Sequence, residues 1–461
     1  MRIAIFGTGK IFFRYWKYID KEQVVYLIDN DGKKAGTAID GIEIILPSQL
    51  KAEEVDVILV LSKFYDEMKQ QLVELGIPED MILNYLQMGN VIDMPVWIYS
   101  NGRKLMFSNW LEDNKKKAVL ISHELSYSGA PIALMNMAKV MKKMGISVLY
   151  VGMYDGPLQK ELEINHIDYV PGWIFVKDDI QKEYIGQFDL AVICTFRLRR
   201  LVENYKSLKT PIIWWIHEAE CVYQETEILN CGKNVSVFCG GEHARKTFLA
   251  HCKEKDAQVL QYCLPEENLL ADGSEMAVGE RVTFGLIGAI SVRKAQDILL
   301  KAILKLPLEY QEKIELLIIG TALETEKEYW ERLKPLIKQM KHVRVEGEVS
   351  QEELAAKYKE IDVLVCPSRD DPMPVVVAQA MMYGKVCILS ENVGQVEFVK
   401  SGENGFVFGD ERELSEQIKW IVKHKDRLNE IGRRARAIYE QNFSEEIMEE
   451  RLERLWWEKC K

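Results

Sequence analysis

Residues 366–397 read CPSRDDPMPVVVAQAMMYGKVCILSENVGQVE. The apolar run Asp362–Cys366 just before Pro367 is long enough only for a buried strand, and Pro367 with Ser368 ends it. Pro374 suits the first turn of a helix, where a missing backbone N–H costs nothing. Residues Val375–Met382 then form a helix apolar on nearly all sides, closed by Gly384 before a second strand, Lys385–Ser390. In an open parallel sheet a ligand sits outside the carboxyl ends of the strands, so the loops 369–374 and 391–395 are expected to face one crevice.

The frame Ala380, Met381, Gly384, Lys385 resembles the retaining glycosyltransferases of family 4, which have the GT-B fold. That family carries two glutamates with seven residues between them where this chain has Asp371 and Gln379. The resemblance implies that Asp371 contacts a donor sugar with one methylene less reach. It implies that Gln379 holds ribose hydroxyls without ionic assistance, and charge-assisted bonds are about twice as strong as neutral ones. Pro372 and Pro374 stand at positions that are usually glycine, which leaves the N–H groups of Met373 and Val375 as donors for a diphosphate at the helix start.

The 461 residues exceed what one core can organise and suggest about three domains. Apolar residues make up 48%, charged residues 28%, and the net charge is −11, a soluble globular profile that argues against nucleic acid as main partner. The chain opens directly on the strand-like RIAIFG, and no apolar run approaches about 18 residues. A cytoplasmic protein is expected, with peripheral placement on the inner membrane face as an addition. The nine cysteines sit mostly inside apolar strands, as buried small hydrophobes rather than a disulfide or metal framework.

Read in order, residues 1–95 alternate strand and helix as an accessory Rossmann-like domain. Gly7, Gly9 and Asp29 match part of a dinucleotide fingerprint, but Phe12 stands where its third glycine belongs. Similar small domains accompany glycosyltransferases and sugar acyltransferases, which implies a ligand-sensing or regulatory appendage. Residues 96–116 read as a connector whose aromatics Trp97, Tyr99, Phe107 and Trp110 pack on one neighbour.

Residues 117–265 form a second doubly wound unit, the acceptor-side domain of the GT-B pair. Ser128 and Gly129 precede a helix there; they serve as a cap, or as a cleft loop facing donor phosphate and acceptor, as the resemblance implies. His217 follows a strand in WWIHEAE, at the sheet's carboxyl edge. It is a loop histidine or a site residue, and the resemblance implies contact with the donor sugar. No second histidine stands at metal spacing and no Asp-x-Asp precedes a sugar pocket, so no divalent ion or other cofactor is expected. Lys139, Lys142, Lys143, the FRLRR run at 196–200, Tyr205, Lys206 and Lys209 make a basic and aromatic cluster. The plain reading is a solvated face; the sharper one is an anionic membrane carrying a lipid-linked acceptor.

Residues 266–280 read as the interdomain linker and 281–443 as the nucleotide-sugar donor domain. Arg293 and Lys294 lie in a loop at a strand end, where two cations suit a diphosphate gaining charge as a glycosidic bond breaks. The family usually has an arginine after the strand-end glycine and a Lys-Gly pair five residues later. Lys294 matches that lysine, whereas Ala289 and Ala295 replace the arginine and the glycine. Gly347 and Val349 stand at the strand end where the family seats a nucleotide base, and Ser350 with Glu353 forms a capping box. Residues 444–461 make a last helix, capped by Ser444, with Ile447, Met448, Leu452, Leu455 and Trp456 on one face. The resemblance implies that this helix crosses back to the first catalytic domain.

The expected fold is thus α/β, two facing doubly wound domains plus a small N-terminal one. The expected activity is transfer of a sugar from a UDP- or GDP-sugar to a hydroxyl of a glycan or lipid-linked acceptor, metal-independent and retaining as the family implies. Two alternatives stay open: a non-catalytic nucleotide-sugar- or partner-binding relative, motivated by the altered glutamates and Ala289, and a GT-B epimerase or phosphorylase.

Overall fold

Aliphatic and β-branched runs of four to six residues recur between amphipathic stretches along the whole chain, and each run becomes a strand of one of three sheets. The computed structural model describes residues 1–16, 19–91, 96–112, 115–218, 222–223, 230–252, 256–266, 279–322 and 324–460. Most of the stretch read as a linker lies outside the described residues, as do Glu220 and Cys221.

The first sheet comprises β1 (Ile3–Phe6), β2 (Val24–Ile28), β3 (Ala38–Ile39), β4 (Ile42–Ile45), β5 (Val57–Val60) and β6 (Ile82–Asn84). Their order is β3-β4-β2-β1-β5-β6, parallel except for the hairpin β3–β4. The second sheet comprises β7 (Trp97–Ser100), β8 (Arg103–Met106), β9 (Lys117–Ser122), β10 (Ser147–Gly152), β11 (Asp168–Val170), β12 (Leu190–Cys194), β13 (Ile212–Ile216), β14 (Val235–Cys239) and β15 (Ala257–Val259). Its order is β15-β14-β13-β12-β9-β10-β11-β7-β8. The stretch read as a connector supplies the hairpin β7–β8, which joins β11 antiparallel at the edge. Its aromatics pack on that domain: Tyr99 stacks on Tyr169 and Phe107 on Tyr184. The third sheet comprises β16 (Val282–Ile287), β17 (Ile314–Ile319), β18 (Val343–Glu346), β19 (Val363–Cys366), β20 (Val386–Ser390) and β21 (Phe406–Phe408), wholly parallel in the order β18-β17-β16-β19-β20-β21.

Each sheet reverses its strand order once, between β1 and β5, between β9 and β12, and between β16 and β19. At such a point neighbouring loops leave in opposite directions and open a crevice at the carboxyl ends. This relationship places the sites below.

Apolar packing fixes the units together. Phe12, Tyr15, Trp16, Leu86 and Met88 of the first unit share one core with Trp173, Ile174 and Phe175 of the second. Phe12, at the position of the missing third glycine, is fully buried and stacks on Trp16. The helix Glu445–Lys459 runs back onto the helix Gly129–Lys143: Met448, Leu452, Leu455 and Trp456 join the core holding Ala133, Met137 and Val140, and Lys143 pairs with Glu445. That cover explains why Gly129–Lys143 is buried on nearly all sides instead of along one stripe. Both capping devices are formed: Ser350 N donates to Glu353 at 2.8 Å, and Ser444 accepts from Ile447 N. Among the described residues no helix is long and apolar enough to cross a membrane, and no disulfide joins the eight described cysteines.

Candidate functional site

The reversal between β16 and β19 brings the loops 288–295 and 367–374 side by side. Lys294 Nζ lies 2.5 Å from Asp371 Oδ2, and Arg293 Nη1 lies 3.2 Å from the same oxygen. Arg293 Nη1 also donates to the Asp370 carbonyl at 2.9 Å. Asp371 is buried, Lys294 nearly so, and Arg293 keeps a large solvent-facing part. Backbone bonds hold the frame rigid: Asp371 N donates to Asn392 O, Gly394 N to Asp371 O, and Arg369 N to Arg293 O. The loops 369–374 and 391–395 are therefore bridged at Asp371 and Val393, as one crevice requires. Ala295 has φ +56°, so the left-handed turn that a glycine would supply is kept with an alanine, at a steric cost of about 1 kcal/mol.

The second domain closes over this site from its own strand ends. The site Cβ of Gly129 would lie 3.8 Å from Val375 Cγ2, and that of Gly241 would lie 2.1 Å from Met373 Cε. A side chain at 241 would therefore have to displace the flexible end of Met373, which packs directly on the glycine. His243 Nε2 lies 2.9 Å from Asp370 Oδ1, and Tyr262 OH donates to the Pro374 carbonyl at 3.2 Å.

His217 sits edge-on to Trp215, with ring centroids 4.3 Å apart, and next to Gly240, whose hydrogen leaves room for the ring. Burial, reinforced by the nearby His123, pushes its pKa down to about 3, so it is a neutral imidazole at physiological pH. Ser128 occupies a helix N-cap position without capping; it accepts from Ser126 Oγ at 2.9 Å and donates to Glu124 Oε1 at 3.3 Å. The cap reading thus gives way to a hydroxyl cluster around Glu124. That carboxyl is held down to about 2 by His123 and, against burial, by Ser126.

The structure brings Arg293, Lys294 and Asp371 together, and seats Met373 and Val375 against the second domain. Val375 opens its helix, where the first backbone N–H groups lack an intrahelical acceptor. Gln379 Oε1 accepts from Tyr358 OH at 3.1 Å. Gly347 and Val349 stand farther out, after edge strand β18, two strands away from β16; Gly347 is exposed and Val349 packs on the core. The contacts of Gly241, His243 and Asp370 were missed by sequence reasoning, because partners more than a hundred residues apart carry no local pattern.

Much of the basic cluster is engaged inside the chain. Arg199 and Arg200 both pair with Asp66 of the first unit, Lys142 bonds the His166 carbonyl, and Tyr205 OH is buried between Trp173 and Gln181. In the first unit, Asp29 Oδ2 accepts from Thr8 and from Lys34 at 2.8 Å, so the fingerprint carboxylate is spent on its own loop.

Two halves of one pattern emerge on comparison with known proteins. Residues 114–264 match the family described as Glycosyl-transferase family 4, and residues 274–438 match Glycosyl transferases group 1. Both matched families are described as glycosyltransferase families. Residues 1–83 match the C2185-like, N-terminal family. The chain is similar to the spore coat protein SA of Bacillus subtilis, at 25% identity over 39% of this chain and 49% of that protein. It is similar also to the capsular polysaccharide biosynthesis glycosyltransferase CapM of Staphylococcus aureus, at 25% identity over 41% of this chain and 50% of that one. The chain thus spans half or less of the length of these curated relatives. Among solved structures, Anabaena HepE in complex with UDP and glucose superposes with TM-score 0.60 at 17% identity, covering 74% of this chain and 99% of HepE. WaaG, a glycosyltransferase involved in lipopolysaccharide biosynthesis, superposes with TM-score 0.53 at 14% identity, covering 72% and 98%. Most of the chain therefore has the GT-B architecture.

Proposed function

We propose that the chain transfers a sugar from a nucleotide-sugar donor to a hydroxyl acceptor, a cell-surface polysaccharide or lipid-linked glycan precursor, with retention and without a metal. The observation that carries this reading is the convergence of Lys294, Arg293 and Asp371 at the β16/β19 crevice, under loops of a second domain. Lys294 and Arg293 neutralise the diphosphate as it departs, where fixed cations act strongly because water is excluded. Amides at the start of the helix Val375–Met382 add donors to the same oxygens. Asp371 and His217 orient the transferred sugar, Gln379 holds the ribose, and Gly347 with Val349 borders the base. The neutral state of His217 suits it to hydrogen-bonding an uncharged hydroxyl.

Similarity to CapM supports a glycan acceptor, and the UDP-bound HepE supports a nucleotide-sugar donor. One observation favours the non-catalytic reading: Lys294 and Arg293 are both engaged by Asp371, so a diphosphate must compete for them. Titration with UDP, GDP and their sugars, followed by product and anomer analysis, decides. Transfer with retained configuration supports the proposal; binding without transfer or hydrolysis favours the non-catalytic relative, and an epimerised donor overturns both.

A further inference from the structure

The carbonyl that opens the helix Val375–Met382 is held by side chains from outside that helix. Pro374 O accepts from Gln395 Nε2 at 2.8 Å and from Tyr262 OH at 3.2 Å, besides Val377 N at 3.2 Å in the helix's own first turn. Pro374 is the N-cap residue, so this carbonyl shares one peptide plane with the N–H of Val375. No peptide bond among the described residues is cis. In a trans peptide the C=O and the N–H point to opposite sides of the chain. Fixing the Pro374 oxygen therefore aims the Val375 amide, the first N–H of the helix, which has no acceptor inside it.

The two side chains come from different domains. Gln395 lies in the loop after β20, whereas Tyr262 follows β15 of the second sheet. Both are buried, Tyr262 at 2% exposure and Gln395 at none. Their bonding sets the direction of each group. A carbonyl only accepts, so Gln395 presents its Nε2, and the same nitrogen lies 3.4 Å from Tyr262 OH. With its oxygen accepting there, the hydroxyl turns its single proton to Pro374 O. Burial first, and then the charge of Asp371, push this hydroxyl well above its ordinary pKa, so it keeps the proton at physiological pH.

The tyrosine ring has little freedom of its own. Trp215 Nε1 donates to Leu260 O at 2.8 Å and Asn136 Nδ2 to Cys263 O at 3.0 Å, which ties the segment to the second domain. Tyr439 OH donates to Leu264 O at 2.9 Å from the helix Leu428–Asn442, and the Tyr262 ring packs on Phe443 with centroids 5.4 Å apart.

We infer that Tyr262 is a positioning residue for the diphosphate of the donor: from the second domain it holds the Pro374 carbonyl and so presents the Val375 amide to the crevice already oriented. This rests on the transferase reading, in which that amide meets the diphosphate, and deepens it by naming a residue that acts through the backbone. A donor aimed before the ligand arrives needs no reorganisation on binding.

The test uses the full chain with Tyr262→Phe, and Tyr439→Phe as the comparison. Each removes one buried hydroxyl bonded at the same joint and keeps the ring. Pro374 O retains two donors in the first variant, so no buried acceptor is left bare and the protein folds. Calorimetry with UDP, GDP, UMP and GMP reads both variants. For Tyr262→Phe the expected affinity for the preferred nucleoside diphosphate is lower by about three- to tenfold, with the matching monophosphate unchanged, whereas Tyr439→Phe changes neither. Unchanged diphosphate affinity in Tyr262→Phe overturns the inference and leaves the transferase reading intact. A loss shared equally by diphosphate and monophosphate, or one that Tyr439→Phe reproduces, overturns it too, because either marks a loosened joint and not a misaimed amide. Parent protein that binds none of the four nucleotides overturns the transferase reading and this inference with it.

Discussion

His243 Nε2 lies 2.9 Å from Asp370 Oδ1, linking the helix that follows β14 to the loop that follows β19. It is a side-chain bond between the domain of the second sheet and the domain of the third. One hydrogen bond of about 0.5–1.5 kcal/mol shifts an open–closed equilibrium by roughly two- to tenfold. His243→Ala is therefore expected to enlarge the radius of gyration seen by small-angle scattering, with saturating donor restoring the smaller value. A profile identical to that of the parent protein would show that this bond does not hold the cleft.

Lys294 and Arg293 share one oxygen of Asp371. Lys294→Ala is expected to lower turnover about a hundredfold, the usual effect of removing one donor to developing charge. Arg293, with its side chain 45% exposed, is expected to matter less, about tenfold. Asp371→Asn frees both cations, so it should tighten binding of the nucleoside diphosphate while slowing transfer. Tighter binding without slower transfer would remove Asp371 from the sugar site.

Asp29 in the first unit tests the fold by pH. Burial alone would raise its pKa, but Lys34, Thr8 and backbone N–H groups outweigh it and lower the value from 3.8 to about 2. A carboxyl lowered in the folded state stabilises above its unfolded pKa and loses that contribution as pH falls through its folded value. Stability should therefore fall between pH 4 and pH 2. Asp29→Asn should flatten that limb in urea melts; an unchanged slope would mean the ion pair with Lys34 contributes nothing.

What could be read ahead followed from locality. The strand-loop-helix at 362–390, the box Ser350/Glu353 and the stripe on the last helix are written within one or two turns of chain, and each appears as read. The FRLRR run shows the limit. Arg199 and Arg200 face Asp66, more than 130 residues earlier, so part of this basic face is an internal joint. The tight fit of Gly241 against Met373 is illegible for the same reason.

The last helix is the clasp between the domains, and its energetics can be measured singly. Leu452 is 2% exposed in the core shared with the helix Gly129–Lys143, so Leu452→Ala should cost about 2–5 kcal/mol in denaturant unfolding. Trp457, its exposed neighbour on the other face, should change stability by less than about 0.5 kcal/mol when cut to alanine. Equal effects would contradict the docking.

Gln379 offers the sharpest check on the nucleotide end of the site. It stands where the resembled family has a glutamate, and its Oε1 already accepts from Tyr358 OH at 3.1 Å. A carboxylate can keep that bond, because it only needs to accept, and its second oxygen replaces the amide N–H₂ with another acceptor. Ribose hydroxyls are donors, so the exchange converts a neutral contact into a charge-assisted one, about twice as strong. Gln379→Glu should therefore raise affinity for UDP or GDP by about fivefold at constant melting temperature, and Tyr358→Phe should leave that gain in place. If the glutamate variant binds no tighter than the parent, the ribose is not at residue 379, and the nucleotide must be anchored by the cations and helix start alone.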